Sequence, residues 1–114
     1  MITVYGLKNC DTCKKALKWL ADQGVDHTFK DLRKDGFSRD QLDAWVAATG
    51  WEMLLNRRGT TWRGLDEADK DGVTEAKAAD LMEQYPALIK RPVFETGSAV
   101  VVGFKDEQKA ALAG

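Results

Sequence analysis

The stretch Ile2-Thr3-Val4-Tyr5-Gly6-Leu7-Lys8-Asn9-Cys10-Asp11-Thr12-Cys13-Lys14-Lys15-Ala16-Leu17 decides the fold. Ile2 to Tyr5 is a short apolar run with Thr3 inserted, the pattern of a buried strand. Gly6 to Asn9 supplies loop residues. From Asp11 onward, Cys13, Ala16, Leu17, Leu20 and Ala21 recur at helical spacing, and Gly24 is a natural stop. Val25 to Leu32 then alternates, with Val25, His27 and Phe29 on one side and Asp26, Thr28 and Lys30 on the other, which predicts a second strand. Strand, helix and strand within about thirty residues make a βαβ unit. Such a unit crosses over right-handed and leaves its strands parallel.

Working outward, Arg33-Lys34-Asp35-Gly36 is a turn, and Ser38-Arg39-Asp40-Gln41 has the form of a capping box opening a helix that runs to Gly50. Trp51 to Gly72 is less periodic, and Gly59, Gly64 and Gly72 point to short helical turns joined by loops. Thr74 caps another helix reaching Tyr85, ended by Pro86. Val93 to Glu95 and Ala99 to Gly103 read as strands joined by the hairpin signal Thr96-Gly97-Ser98, and Lys105 to Leu112 as a closing helix. The expected architecture is α/β: one thioredoxin-like domain over residues 1–114, β-α-β then β-β-α in a mixed four-stranded sheet, with a helical insertion at about 38–85.

Composition narrows the function. The formal charge is −1 with no long basic run, which argues against broad phosphate neutralisation and hence against nucleic-acid binding. No apolar stretch approaches the roughly 20 residues that span a bilayer. The N-terminus lacks the charged and apolar regions of a signal peptide, so a cytoplasmic, non-membrane protein acting as a monomer is expected. With two cysteines three apart and His27 the single histidine, the pair supplies half a zinc site at most, so no metal is expected. A loop this small would also constrain the unfolded chain little. Redox chemistry is the better reading.

Cys10 falls where the first loop meets the first helix. Unpaired N–H groups and the positive end of the macrodipole favour an anion there, so the thiol pKa should drop and the thiolate become a nucleophile. Lys8 and Lys14 are near in sequence and could add positive potential. Cys13, one turn on, is placed either to resolve a mixed disulfide on Cys10 or simply to pack with Ala16 and Leu17. His27 reads as a packed histidine, Lys14-Lys15 as a solvated helix face, and the four tryptophans as core or groove lining, with Trp62 a candidate to flank the site.

Three motifs in order, Met1 to Cys10, Leu54-Leu55-Asn56-Arg57-Arg58-Gly59-Thr60 and Pro86-Ala87-Leu88-Ile89-Lys90-Arg91-Pro92, resemble the ArsC family of glutaredoxin-linked arsenate reductases along essentially the whole chain. Asn9-Cys10-Asp11-Thr12 and Arg58-Gly59-Thr60-Thr61-Trp62-Arg63 are most similar to its YffB-like branch. The superfamily is shared with Spx, a redox-sensing regulator. The resemblance implies a nucleophilic Cys10, an Arg91 that reaches it, and a Pro92 that is cis. It also implies no bound cofactor, with glutathione as co-substrate, a small thiol or disulfide as substrate, and glutaredoxin or thioredoxin as recycling partner. Lys8, Asn9, Arg57, Arg58 and Pro92 are the expected glutathione or substrate contacts.

The departures bear on substrate. Arsenate reductases of this type surround the oxyanion with three arginines. Arg91 matches one, Asn56 replaces another although Arg57 and Arg58 adjoin it, and Val102-Gly103 offers no basic group for the third. A thiol–disulfide reductase acting on glutathione adducts therefore leads, and arsenate reduction is the alternative. The non-enzyme alternative is an Spx-like switch that docks RNA polymerase near Gly50. Spx-type chains continue past the last helix, whereas this one ends at Gly114.

Overall fold

A computed structural model describes residues 2–113; Met1 and Gly114, the two ends of the expected domain, lie outside the described residues. In chain order the elements are β1 (Ile2–Gly6), α1 (Asp11–Asp22), β2 (His27–Asp31), α2 (Arg39–Thr49), α3 (Trp51–Leu54), α4 (Thr60–Arg63), α5 (Glu67–Lys70), α6 (Glu75–Gln84), a 3₁₀ turn (Pro86–Leu88), β3 (Val93–Glu95), β4 (Val100–Val102) and α7 (Asp106–Ala113). They fall into two compact units, one running up to Gly36 and resuming at Arg91, the other Phe37–Lys90. Among the described residues no helix is long and apolar enough to cross a membrane.

The first unit holds the mixed thioredoxin-like sheet, with strand order β2-β1-β3-β4. β1 pairs parallel with β2, and β3 pairs antiparallel with both β1 and β4. Register puts Phe29, Val4, Phe94 and Val101 side by side across the four strands. Side chains alternate faces along a strand. That face therefore also carries Ile2, and the cluster packed on it contains Ala16 and Leu20 of α1 and Leu112 of α7. The helical spacing read in the sequence is the spacing of α1's buried stripe, Cys13, Ala16 and Leu20.

Two strands are shorter than the sequence predicts. The N–H of Val25 bonds the Leu20 carbonyl to close α1, Gly24 takes the positive φ of 70° that this closure needs, and the β1–β2 ladder settles only at His27. Ala99 is likewise consumed by the hairpin turn, its N–H bonding Thr96 Oγ1 while its carbonyl accepts from Thr96 N.

In the second unit the capping box forms as read: Gln41 N donates to Ser38 Oγ and Ser38 N to Gln41 Oε1, both at 3.0 Å. The Thr74 hydroxyl caps α6 by accepting from Lys77 N. Leu42, Trp45 and Val46 of α2 and Ala78, Ala79, Leu81 and Met82 of α6 are buried. Arg39 pairs with Asp43 on its own helix and bridges to α6 through Asp80 and Glu83. The unit runs to Lys90, beyond the expected 85. A bridge between Leu55 and Ile89, flanked by Asn56 N–Leu88 O and Lys90 N–Leu54 O bonds of 2.7 Å, ties the segment after Pro86 to it.

Candidate active site

Cys10 is the N-cap of α1, with extended backbone (φ −96°, ψ 119°), and its carbonyl accepts the helix's first bond from Lys14 N. Cys10 N donates to Leu7 O at 3.1 Å, folding Leu7 to Cys10 into a turn that delivers the sulfur to the helix start. Both cysteines are free thiols, Cys10 half-buried and Cys13 buried. Partial burial opposes ionisation of Cys10. The Cys13 N–H, the Cys13 thiol and the Arg91 guanidinium together outweigh it and hold the thiol below its ordinary value. The Cys10 side chain makes no cap hydrogen bond of ordinary geometry. The Cys13 amide acts on the anion as an aligned dipole at the helix terminus.

Cys13 has the opposite character. Burial first, then its proximity to the Cys10 sulfur, push its thiol up to about 12 against the opposing effects of a hydrogen bond with the Leu7 backbone and the Arg91 charge. Gly6 makes room for it. A Cβ on Gly6 would lie 2.5 Å from Cys13 Sγ, 3.3 Å from Cys13 Cβ and 3.3 Å from Phe29 Cε1. Gly6 follows Ile2 and Val4 on the helix-covered face, so the strand ends on a residue without a side chain where α1 brings down its first buried one.

Arg91 comes from the segment before β3. The Arg91–Pro92 peptide is cis, Pro92 is buried, and its carbonyl accepts from Gly103 N at 2.9 Å. The Arg91 guanidinium favours the Cys10 thiolate through its donor groups and its charge. The far end of the chain thus supplies the cation for the thiolate at the near end.

Cys10 opens on a pocket of about 540 Å³, within the size range of small-molecule sites. Leu7, Lys8, Asn9 and Cys10 line it from the β1–α1 loop, Arg91 from the β3 side, and Asp31, Arg33 and Lys34 from the end of β2. The last three were not singled out in the sequence. Asp31 organises that corner: Oδ1 accepts from Arg33 N (2.8 Å) and Lys34 N (2.9 Å), and Oδ2 accepts from Lys8 N (3.0 Å). The Lys34 amide foremost, with the Arg33 and Lys8 amides and the Arg33 charge, outweighs slight burial and holds the carboxyl below its ordinary range. The available signal was the βαβ unit itself, since parallel pairing of Gly6 with Asp31 sets the turn after β2 beside the loop after β1.

Of the expected site residues, Lys8, Asn9, Cys10 and Arg91 line this one pocket, with Cys13 and Pro92 buried in the same unit. Arg57 and Arg58 belong to the second unit, where the Arg57 guanidinium lies 5.9 Å from the centre of the Trp51 ring and Arg58 N donates to Asn56 Oδ1. Trp62 is in that unit too, half-buried in α4. Val102 is buried in β4, so no basic side chain stands at that position. His27 Nδ1 is 2.8 Å from the Val25 carbonyl, at the end of β2 remote from Asp31, which leaves it a packed residue. Among the described residues no group of three or more His, Cys, Asp or Glu is placed to hold a metal.

The ArsC family model matches residues 5–112. The solved structure of a YffB protein superposes with a TM-score of 0.94 at 46% identity over 100% of both chains. An arsenate reductase (ArsC) related protein from Brucella melitensis superposes with a TM-score of 0.79 at 47% identity, over 96% of this chain and 92% of that one. The global transcriptional regulator Spx of Streptococcus pyogenes is 26% identical over 98% of this chain and 84% of its own length.

Proposed function

This chain belongs to the ArsC family, and from that premise we propose that it is a glutathione-dependent thiol–disulfide reductase with Cys10 as its nucleophile. The observation that carries the reading is the pairing of Cys10 at the start of α1 with Arg91, which favours the thiolate at the mouth of an open pocket. The Cys10 thiolate attacks the glutathione sulfur of a mixed disulfide. A Cys10–glutathione disulfide forms, the old S–S bond breaks, and the substrate leaves as thiolate. A second glutathione thiolate then attacks the glutathione sulfur on Cys10, releasing glutathione disulfide and restoring the Cys10 thiolate. The external thiol is favoured as resolver over Cys13, whose burial keeps it protonated even after Cys10 is modified and its charge is gone. Glutaredoxin or thioredoxin would serve the same recycling step.

The test is NADPH oxidation coupled through glutathione reductase, with a glutathione mixed disulfide as substrate. Turnover should require glutathione, survive Cys13→Ser and vanish in Cys10→Ser; activity retained by Cys10→Ser overturns the proposal. Arsenate in place of the disulfide should give little turnover, since Arg91 is the single arginine at a matched oxyanion position and Val102 is buried. Robust arsenate reduction abolished by Arg57→Ala or Arg58→Ala would establish the arsenate reading instead.

The similarity to Spx supports a second reading, a redox switch that docks RNA polymerase around Gly50, where the backbone takes a φ of 86° between α2 and α3. Capture of RNA polymerase by the reduced protein and not by the oxidised one would favour it. Failure of both forms to capture the polymerase would remove it.

A further inference from the structure

The pocket facing Cys10 is strongly one-sided in charge. Its lining contains Lys8, Arg33, Lys34 and Arg91 against a single carboxylate, Asp31, in a chain whose formal charge is −1. Arg91 acts on the Cys10 thiolate. The Asp31 carboxylate is turned onto backbone amides, accepting from the N–H groups of Lys8, Arg33 and Lys34, and the Arg33 side chain acts on it only as a nearby charge, the last-named of its influences. Among the described residues, none of Lys8, Arg33 and Lys34 takes part in an ion pair. Asp31 thus fixes the path of the turn through its backbone and leaves two exposed cationic side chains lining the same pocket as the nucleophile. A second carboxylate, Asp35, closes the turn by accepting from Asp31 N at 2.8 Å.

We propose that Arg33 and Lys34 form an anion-docking wall that selects disulfides bearing carboxylates, so that the preferred substrates of Cys10 are adducts of acidic, peptide-like thiols. The inference rests on the reading of Cys10 as a disulfide-attacking nucleophile and adds the determinant of which disulfides it attacks. Guanidinium and ammonium groups recognise carboxylates by charge-assisted hydrogen bonds, and a pocket lined by one sign of charge concentrates ligands of the other. Arg33 offers a planar fork for a carboxylate, whereas Lys34 contributes a mobile point charge. Neither would touch the sulfur being attacked. Both act by orienting the remainder of the substrate.

The experiment is a single-turnover reaction of the reduced full-length protein, without added glutathione, with three disulfides of different charge. Glutathione disulfide is anionic, bis(2-hydroxyethyl) disulfide neutral and cystamine cationic, and loss of the free Cys10 thiol is followed by quenched mass spectrometry. Wild type should prefer the anionic disulfide, with a preference that shrinks as salt is raised. Arg33→Gln/Lys34→Gln should slow the anionic reaction about ten-fold, equivalent to roughly 1.4 kcal/mol, and leave the neutral reaction within about two-fold. Because Asp31 is held by backbone amides, these side-chain changes keep the turn. Arg33→Glu/Lys34→Glu should reverse the order and favour cystamine. Equal slowing of the neutral and anionic reactions, or no change in either, overturns the wall. A Cys10 that reacts with none of the three overturns the underlying enzymatic reading as well, so the two failures are distinguishable.

Discussion

Gly6→Ala isolates the claim that Cys13 is seated as a packing residue and is not a mobile thiol. Gly6 has ordinary negative-φ backbone, so alanine adds no backbone strain there, and in the unfolded chain the substitution should favour folding by about 0.4–1 kcal/mol. The steric effect opposes this. The new methyl would lie 2.5 Å from Cys13 Sγ, where ordinary contact begins at 3.4 Å. The severe contact is the sulfur alone: Cys13 Cβ and Phe29 Cε1, each 3.3 Å from the same point, need yield by only a few tenths of an ångström. The strand cannot simply retreat: Gly6 pairs with Asp31, and its carbonyl accepts from Leu32 N at 2.8 Å. Overpacking of this kind costs about 1–3 kcal/mol. Net of the entropic gain the loss is at most about 2.6 kcal/mol, which in a chain of this length lowers Tm by up to roughly 10 °C. Thermal and urea denaturation of Gly6→Ala, Cys13→Ala and the double variant measure it. With the sulfur removed, adding the methyl should cost less than about 0.5 kcal/mol, a coupling that only touching residues show. An equal loss in both backgrounds, or no loss in either, would refute the placement of Cys13.

Arg91→Ala should raise the apparent pKa of Cys10, moving the pH profile of its iodoacetamide alkylation upward while circular dichroism is unchanged; an unmoved profile would detach Arg91 from the thiolate. Cys13 should make the protein less stable above pH 9, because its thiol ionises near its ordinary 9.0 when unfolded and only at about 12 when folded, so the unfolded state sheds a proton first. Urea midpoints from pH 8 to 10.5 should therefore fall more steeply in wild type than in Cys13→Ala, and parallel curves would contradict this. Asp31 works at the other limb: its folded pKa is lowered, so its stabilisation is present above the ordinary 3.8 and is lost as pH falls through the folded value. Asp31→Asn should flatten the acid side of the stability curve and reduce Cys10 alkylation through a loosened Lys8 loop; an unchanged acid limb would deny the clamp.

Local signals carried most of the fold. β1, the stripe of α1, the Ser38 capping box and the Thr96-Gly97-Ser98 hairpin each rest on periodicity or capping chemistry that neighbouring residues decide. The strand ends at His27 and Val100 were less legible, because the pattern of side chains continues after the backbone has turned to other partners, Leu20 for Val25 and Thr96 for Ala99. At the site, the position of Cys10 before the helix was readable, and so was its contrast with Cys13 on the apolar stripe. Arg33 and Lys34 were not, since a turn of charged residues is the commonest solvated feature a chain presents. Their approach to the loop before Cys10 depends on parallel register and on Asp31 bonding to Lys8, 23 positions away. Lys8 and Lys14 were the cations nearest Cys10 in sequence. The one that holds its thiolate, Arg91, arrives from the far end of the chain.

The most direct test of the central claim is intact-mass and peptide-level mass spectrometry of wild type, Cys10→Ser and Cys13→Ser after brief exposure to glutathione disulfide. A single glutathione should be found on Cys10 in both wild type and Cys13→Ser, none on Cys10→Ser, and reduced glutathione should remove it from both at similar rates. Wild type passing directly to a Cys10–Cys13 disulfide while only Cys13→Ser keeps the adduct would contradict the external-thiol mechanism, and labelling of Cys10→Ser to the same extent would contradict the assignment of the nucleophile itself.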